Sequence, residues 1–122
     1  MNKHPARPIT DEDRETYERD GIVCLRGLFD ADWIAHLRRW GERAMADPGP
    51  HAEEYGTKGQ GRFFGDLDIA RRQEGFRRFV HESPAAEIAG RVMGARRVNF
   101  FYDQFLVKEP GTSERTPWHQ DQ

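Results

Sequence analysis

The run Val98-Asn99-Phe100-Phe101-Tyr102-Asp103-Gln104-Phe105-Leu106-Val107-Lys108 leaves this chain few ways to fold. It is dense in aromatic and β-branched residues, which suit a pleated surface, and it contains neither glycine nor proline, so it reads as one long strand. Side chains alternate along a strand. Val98, Phe100, Tyr102, Gln104, Leu106 and Lys108 therefore share one face, and Asn99, Phe101, Asp103, Phe105 and Val107 share the other. Both sets are largely apolar, which predicts a strand covered on both sides. A polar group in such a strand needs a partner, and this singles out Asp103 and Gln104. Glu109-Pro110-Gly111-Thr112 supplies a turn, after which the chain is expected to return as a second strand through Thr116-Pro117-Trp118-His119-Gln120-Asp121-Gln122. In that hairpin-like unit Gln104 and Tyr102 would face the same cavity as the returning strand.

On an extended strand, residues two apart point the same way, so His119 and Asp121 are expected to project together while Gln120 turns aside. An imidazole and a carboxylate on one face supply two of the three ligands of a 2-His-1-carboxylate site, which leaves positions open on ferrous iron for oxygen chemistry. Five histidines and ten aspartates in 122 residues give about 0.4 chance occurrences of His-x-Asp. The tripeptide thus has two readings, a metal pair or an exposed terminal pair.

Composition limits what else the chain can be. With 36% hydrophobic and 33% charged residues and a mean hydropathy of -0.92, the core must be modest for one small domain. The 19 basic and 21 acidic residues are interspersed, so no basic field draws nucleic acid or an anionic membrane surface. The only cysteine, Cys24, excludes an intrachain disulfide, fits a reducing compartment, and is expected as an inert core thiol between Val23 and Leu25. No apolar stretch approaches the roughly 20 residues of a membrane span, and no apolar run follows the N-terminal charges. The expected location is cytoplasmic.

Residues 1–9 read as a flexible arm, with a domain expected over 10–122. Thr10 can cap a helix whose first turn holds Asp11, Glu12 and Asp13, at the end of the dipole that favours carboxylates, and Gly21 is its natural stop. Ile22-Val23-Cys24-Leu25 reads as a short buried strand. Asp30 caps a second helix, with Trp33, Ile34, Leu37, Trp40, Ala44 and Met45 forming its apolar stripe and His36 at the stripe's margin. From Asp47 to Gly65 glycines and prolines mark a long irregular segment. Within it, Arg62-Phe63-Phe64 has two readings, a lid that meets an anion over a pocket or an apolar anchor for the loop. A short helix should end near His81, and Ser83-Pro84 should open another with Ala85, Ile88, Ala89, Val92 and Met93 buried. The mixture of helices and strands is α+β.

Taken together, Asp20-Gly21-Ile22-Val23-Cys24-Leu25-Arg26-Gly27-Leu28-Phe29, the Ser83-Pro84-Ala85 helix, Tyr102-Asp103-Gln104-Phe105-Leu106-Val107-Lys108-Glu109-Pro110-Gly111 and Thr116-Pro117-Trp118-His119-Gln120-Asp121 resemble the phytanoyl-CoA dioxygenase family over roughly residues 14–122. The resemblance implies an Fe(II)- and 2-oxoglutarate-dependent dioxygenase, acting with O2 on a small-molecule substrate. It also implies the N-terminal portion of a double-stranded β-helix, a cupin-like jelly roll, with helices outside and the barrel incomplete. By resemblance His119 and Asp121 match the first two iron ligands. Gln104 matches a residue lining the 2-oxoglutarate pocket, Tyr102 lies near it, and Arg62 falls near a basic residue that some relatives present to the cosubstrate. Trp118 is expected to pack or to form a wall.

The family pattern also needs a distal histidine and a later arginine, and neither occurs in these 122 residues; His4, His36, His51 and His81 do not occupy a ligand position. The expectation is therefore an N-terminal piece with little activity alone. The alternative is a non-catalytic half-domain that self-associates or pairs with another chain, such as a missing C-terminal half, through exposed strand edges.

Overall fold

The computed structural model describes residues 1–56 and 59–120, arranged as five helices and a three-stranded antiparallel sheet. Helix α1, Asp11–Asp20, buries no side chain, so its ends hold it. Asp13 N–H donates to Thr10 Oγ1 and Thr10 N–H donates back to Asp13, closing a capping box. At the other end Gly21 takes φ 72, a left-handed conformation that glycine reaches without strain, and its N–H donates to the Tyr17 carbonyl.

Helix α2, Ala31–Ala46, is capped by Asp30, which accepts from Trp33 N–H at 3.0 Å. It buries Trp33, His36, Gly41 and Ala44, while Ile34, expected in the stripe, is exposed. His36 is thus central rather than marginal, and its Nε2–H donates to the Gly75 carbonyl at 2.9 Å. Two glycines set how closely the neighbours approach. A Cβ on Gly75 would lie 2.1 Å from the Trp40 ring, and one on Gly41 would lie 2.9 Å from the Phe105 ring.

Residues 1–9, expected as a flexible arm, lie against the turn before α2. Trp33 Nε1–H donates to the Asn2 carbonyl at 2.8 Å, Asn2 Nδ2 donates to the Leu28 carbonyl at 2.8 Å, and Ala6 N–H reaches the same carbonyl at 3.0 Å. Residues 22–25, expected as a buried strand, form none. Ile22 is 73% exposed and Cys24 is exposed too, so the expected core thiol is corrected. The physical reason is that Val23, Leu25 and Phe29 turn onto the helix Ala85–Val92 and line a groove with it, so no strand partner is needed to cover them.

The segment expected to be irregular contributes two strands, β1 at Glu53–Glu54 and β2 at Phe63–Leu67, and β2 is central in the order β1-β2-β3. Strand β3 is Gln104–Lys108, paired Phe63↔Lys108 through Leu67↔Gln104. The long strand expected over 98–108 is therefore halved. Asp68 adopts φ 53, which turns β2 off into α3, Ile69–Arg72, so residues before Gln104 have no neighbouring strand. Nor is the run covered on both sides: Phe101 is 79% exposed, and Phe100, Tyr102 and Leu106 are about half exposed.

One face of the sheet carries Phe64, Asp66 and Phe105 onto the helices. There Phe105 meets Phe76 of α4, Glu74–Glu82, at 5.2 Å between ring centroids, in a core built on Ala44, Ile69, Ala70 and Phe76. Helix α5, Ala85–Val92, follows, with Pro84 at its N-cap position and Ser83 Oγ, one residue before it, accepting from Ala85 N–H at 3.2 Å. The expected return strand is absent among the described residues: 113–120 are irregular, held by Ser113 donating to Gln60 and Lys108 donating to Thr116. The observed class is α+β with a small open antiparallel sheet. Among the described residues no helix is long and apolar enough to cross a membrane.

Candidate functional site

The face of the sheet turned away from the helices is covered only in part: Phe63 and Gly65 are buried there beneath neighbouring side chains, while Leu67, Gln104 and Leu106 are exposed. Strand parity and register bring Phe63, Gly65 and Leu67 from β2 and Gln104, Leu106 and Lys108 from β3 onto it. Gly65 keeps the floor low, since a Cβ there would lie 3.0 Å from the Tyr55 ring and 3.2 Å from Leu106. Tyr55 packs on Phe63 at 4.9 Å between centroids, and its hydrogen bond to the Glu53 carboxylate raises its phenol above the usual range.

At the Gln104 end the face runs into a cavity of about 970 Å³ between residues 98–105 and the helices, walled by Leu37, Phe76, Val80 and Ala89. Gln104 and Tyr102 both line it, so two of the expected cosubstrate residues come together. Asp103 lines it too and finds the partner its position demands: the Ala70 N–H donates to its carboxylate at 3.0 Å, and the Asp68 N–H donates to its carbonyl at 2.9 Å. Burial pushes the Asp103 carboxyl above its ordinary value, partly offset by the Ala70 N–H, with the Asp68 and Asp66 carboxylates adding to the rise.

Arg62 is elsewhere. It precedes Phe63, so its side chain leaves on the opposite face from Gln104, where the guanidinium pairs with Glu54 and lies 5.4 Å from the Phe64 ring centroid. The Glu54 bond holds the guanidinium even further above neutral pH than usual. Phe63 and Phe64 are buried in the sheet, and of the two readings of this cluster the geometry is that of an anchor. Sequence reasoning passed over Asp66, which is fully buried, accepts from the Gly49 N–H at 3.1 Å and pairs with Arg72. An aspartate between apolar strand positions was the available signal.

His119 is exposed in the irregular segment after β3, and the adjacent Trp118 is fully exposed rather than packed. His119 Nδ1–H donates to the Pro117 carbonyl at 2.8 Å. In the neutral ring this bond selects the tautomer with its lone pair on Nε2, the arrangement that metal-ligating histidines use. Asp121 lies outside the described residues. Among the described residues no group of three or more histidine, cysteine, aspartate or glutamate side chains is arranged to hold a metal ion.

No curated protein and no solved structure matches the chain. The sequence model of one family, phytanoyl-CoA dioxygenase, matches residues 17–122.

Proposed function

The chain belongs to the phytanoyl-CoA dioxygenase family, and from that premise we propose that it forms part of an Fe(II)- and 2-oxoglutarate-dependent oxygenase site. In this reading His119 and Asp121 are iron ligands, Gln104 and Tyr102 line the cosubstrate pocket, and the open sheet is one wall of a double-stranded β-helix. The supporting observation is the position of Gln104, whose side chain leaves a half-covered sheet on its open face at the mouth of the cavity. The His119 tautomer suits a ligand through Nε2. Iron held by His119 and Asp121, together with 2-oxoglutarate, would supply the oxidising chemistry for hydroxylation of a substrate C–H bond by O2. The chain's own residues orient the cosubstrate and, through the apolar cavity wall, exclude water from it. Arg62 is omitted from this pocket because Glu54 already holds it on the other face.

The test is an anaerobic titration with Fe(II) and 2-oxoglutarate, following the visible charge-transfer absorption of the chelate. The reading expects a band that His119→Ala abolishes; a band of equal strength in that variant would contradict it. Two side-chain ligands hold ferrous iron weakly, so succinate formation by the 122 residues alone is expected to be negligible.

A second reading is favoured by one observation: β3 ends the sheet, with Phe100, Phe101, Tyr102 and Leu106 exposed around it. Such an edge suits a non-catalytic half-domain that binds another chain. Sedimentation equilibrium separates the two readings. A stable oligomer without the absorption band supports the second, and a monomer that shows the band contradicts it.

A further inference from the structure

Strand β3 pairs with β2 along one side only. The Asp68 N–H donates to the Asp103 carbonyl at 2.9 Å, and the Glu109 N–H donates to the Arg62 carbonyl at 2.8 Å. In an antiparallel ladder the residues that bond a given neighbour alternate. Asp103, Phe105, Val107 and Glu109 therefore turn their backbone groups to β2, while Gln104, Leu106 and Lys108 turn theirs to the other side. There, among the described residues, those N–H and C=O groups meet no neighbouring strand. The chain leaving β3 runs the opposite way, with Gly111 beside Gly61 and Ser113 donating to Gln60, both just before β2.

Such an edge is a template for another strand, and its own sequence selects a partner. Two copies of β3 can pair antiparallel about a twofold axis through any residue from Tyr102 to Leu106, and charge separates these registers. An axis at Leu106 sets Asp103 opposite Glu109, one at Asp103 sets that carboxylate against itself, and one at Tyr102 sets Arg96 opposite Lys108. An axis at Phe105 places Glu109 opposite Phe101 and puts Pro110, which has no N–H, at a hydrogen-bonding position opposite Phe100. With the axis at Gln104 none of these conflicts arises. Tyr102 then stands opposite Leu106, Phe101 opposite Val107 and Phe100 opposite Lys108, and the two Gln104 amides meet at the centre. Arg97 of one copy lies diagonal to Glu109 of the other, and Pro110 falls at the end of the ladder.

The same register covers what the single chain leaves bare. Phe101 is 79% exposed, and Phe100, Tyr102 and Leu106 are about half exposed. A second copy also supplies the neighbour that β2 denies to residues 98–103 by turning away at Asp68. We propose that two copies of this chain join through their β3 strands, antiparallel about Gln104, into one continuous sheet. This rests on the reading of β3 as an edge that binds another chain, and it fixes both the partner and the register.

The experiment combines sedimentation equilibrium of the full chain with disulfide trapping in a Cys24→Ser background, since the native thiol is exposed. Each variant is first checked for an unchanged amide fingerprint. Gln104→Cys should link the copies on mild oxidation, because residues facing each other across this axis lie about 5.5 Å apart at Cα, within the span of a disulfide. Leu106→Cys should not link, since its two copies lie about 13 Å or more apart along the strands. Phe101→Glu, at a side chain the single chain exposes, should weaken dimerisation about tenfold or more, whereas Ile22→Glu, at another exposed apolar side chain, should stay within about twofold. A wild-type chain that stays monomeric overturns the proposal but not the wider reading, which then requires a different protein as partner. A dimer that links through Leu106→Cys and not through Gln104→Cys overturns the proposal while the edge reading stands. A dimer indifferent to Phe101→Glu and lost in Ile22→Glu overturns both, because its interface lies elsewhere.

Discussion

At the scale of single residues, Asp13 and Asp103 are perturbed in opposite directions. The Arg7 guanidinium and the Thr10 backbone N–H hold the Asp13 carboxyl at about 2, below its ordinary 3.8. A depressed acid stabilises the fold above its unfolded value, and the contribution disappears as pH falls from 3.8 towards 2. Asp13→Asn should therefore flatten the pH dependence of the urea midpoint across that window relative to wild type. Asp103, raised by burial, has the opposite sign: its contribution falls as pH rises from 3.8 through the folded value, and Asp103→Asn should remove that slope. How far such residues can be read from sequence depends on how local their partners are. The Thr10 and Asp30 caps act within one helical turn and were legible. The pairing of Arg62 with Glu54 was not legible because, in a glycine-rich stretch with no visible register, nothing indicated which face it leaves from. Lys108 shared a parity with Gln104 from the outset, but only the register with β2 shows that Phe63, Gly65 and Leu67 lie on the same face.

At the scale of elements, most helices declared themselves while the strands did so only in part, for a physical reason. A helix satisfies its backbone from within and carries its own period and caps, whereas a strand exists only where another strand lies beside it. Residues 22–25 and 98–103 have strand composition and no partner, so they stay irregular, while Phe63–Leu67, hidden among glycines, gained two partners and became the sheet's centre. The crossing of α2 and α4 is where an element-scale prediction is sharpest. Gly75 gives the Trp40 ring its place, so Gly75→Ala should cost about 1–3 kcal/mol through overpacking, seen as a lower urea midpoint with an unchanged slope. Removing the α1 cap with Thr10→Ala should cost about 1 kcal/mol, in a helix that buries no side chain to compensate.

At the scale of the whole molecule, the sheet is packed by helices on one face and only partly covered on the other, and the residues that family resemblance ties to cofactor chemistry divide between those faces. Gln104 is on the open one, Arg62 is on the packed one, and His119 follows on the segment tethered by Thr116 to Lys108. The central claim is that the open face and that segment enclose one metal and its diacid. Mn(II), a paramagnetic stand-in for ferrous iron, tests this directly when titrated into the chain with 2-oxoglutarate while amide NMR signals are followed. The account predicts that the signals of Gln104–Lys108 and of residues 116–121 broaden first, and that His119→Ala abolishes the effect. Broadening concentrated instead at the acidic first turn of α1, Asp11 to Asp13, and unchanged by that substitution, would contradict it.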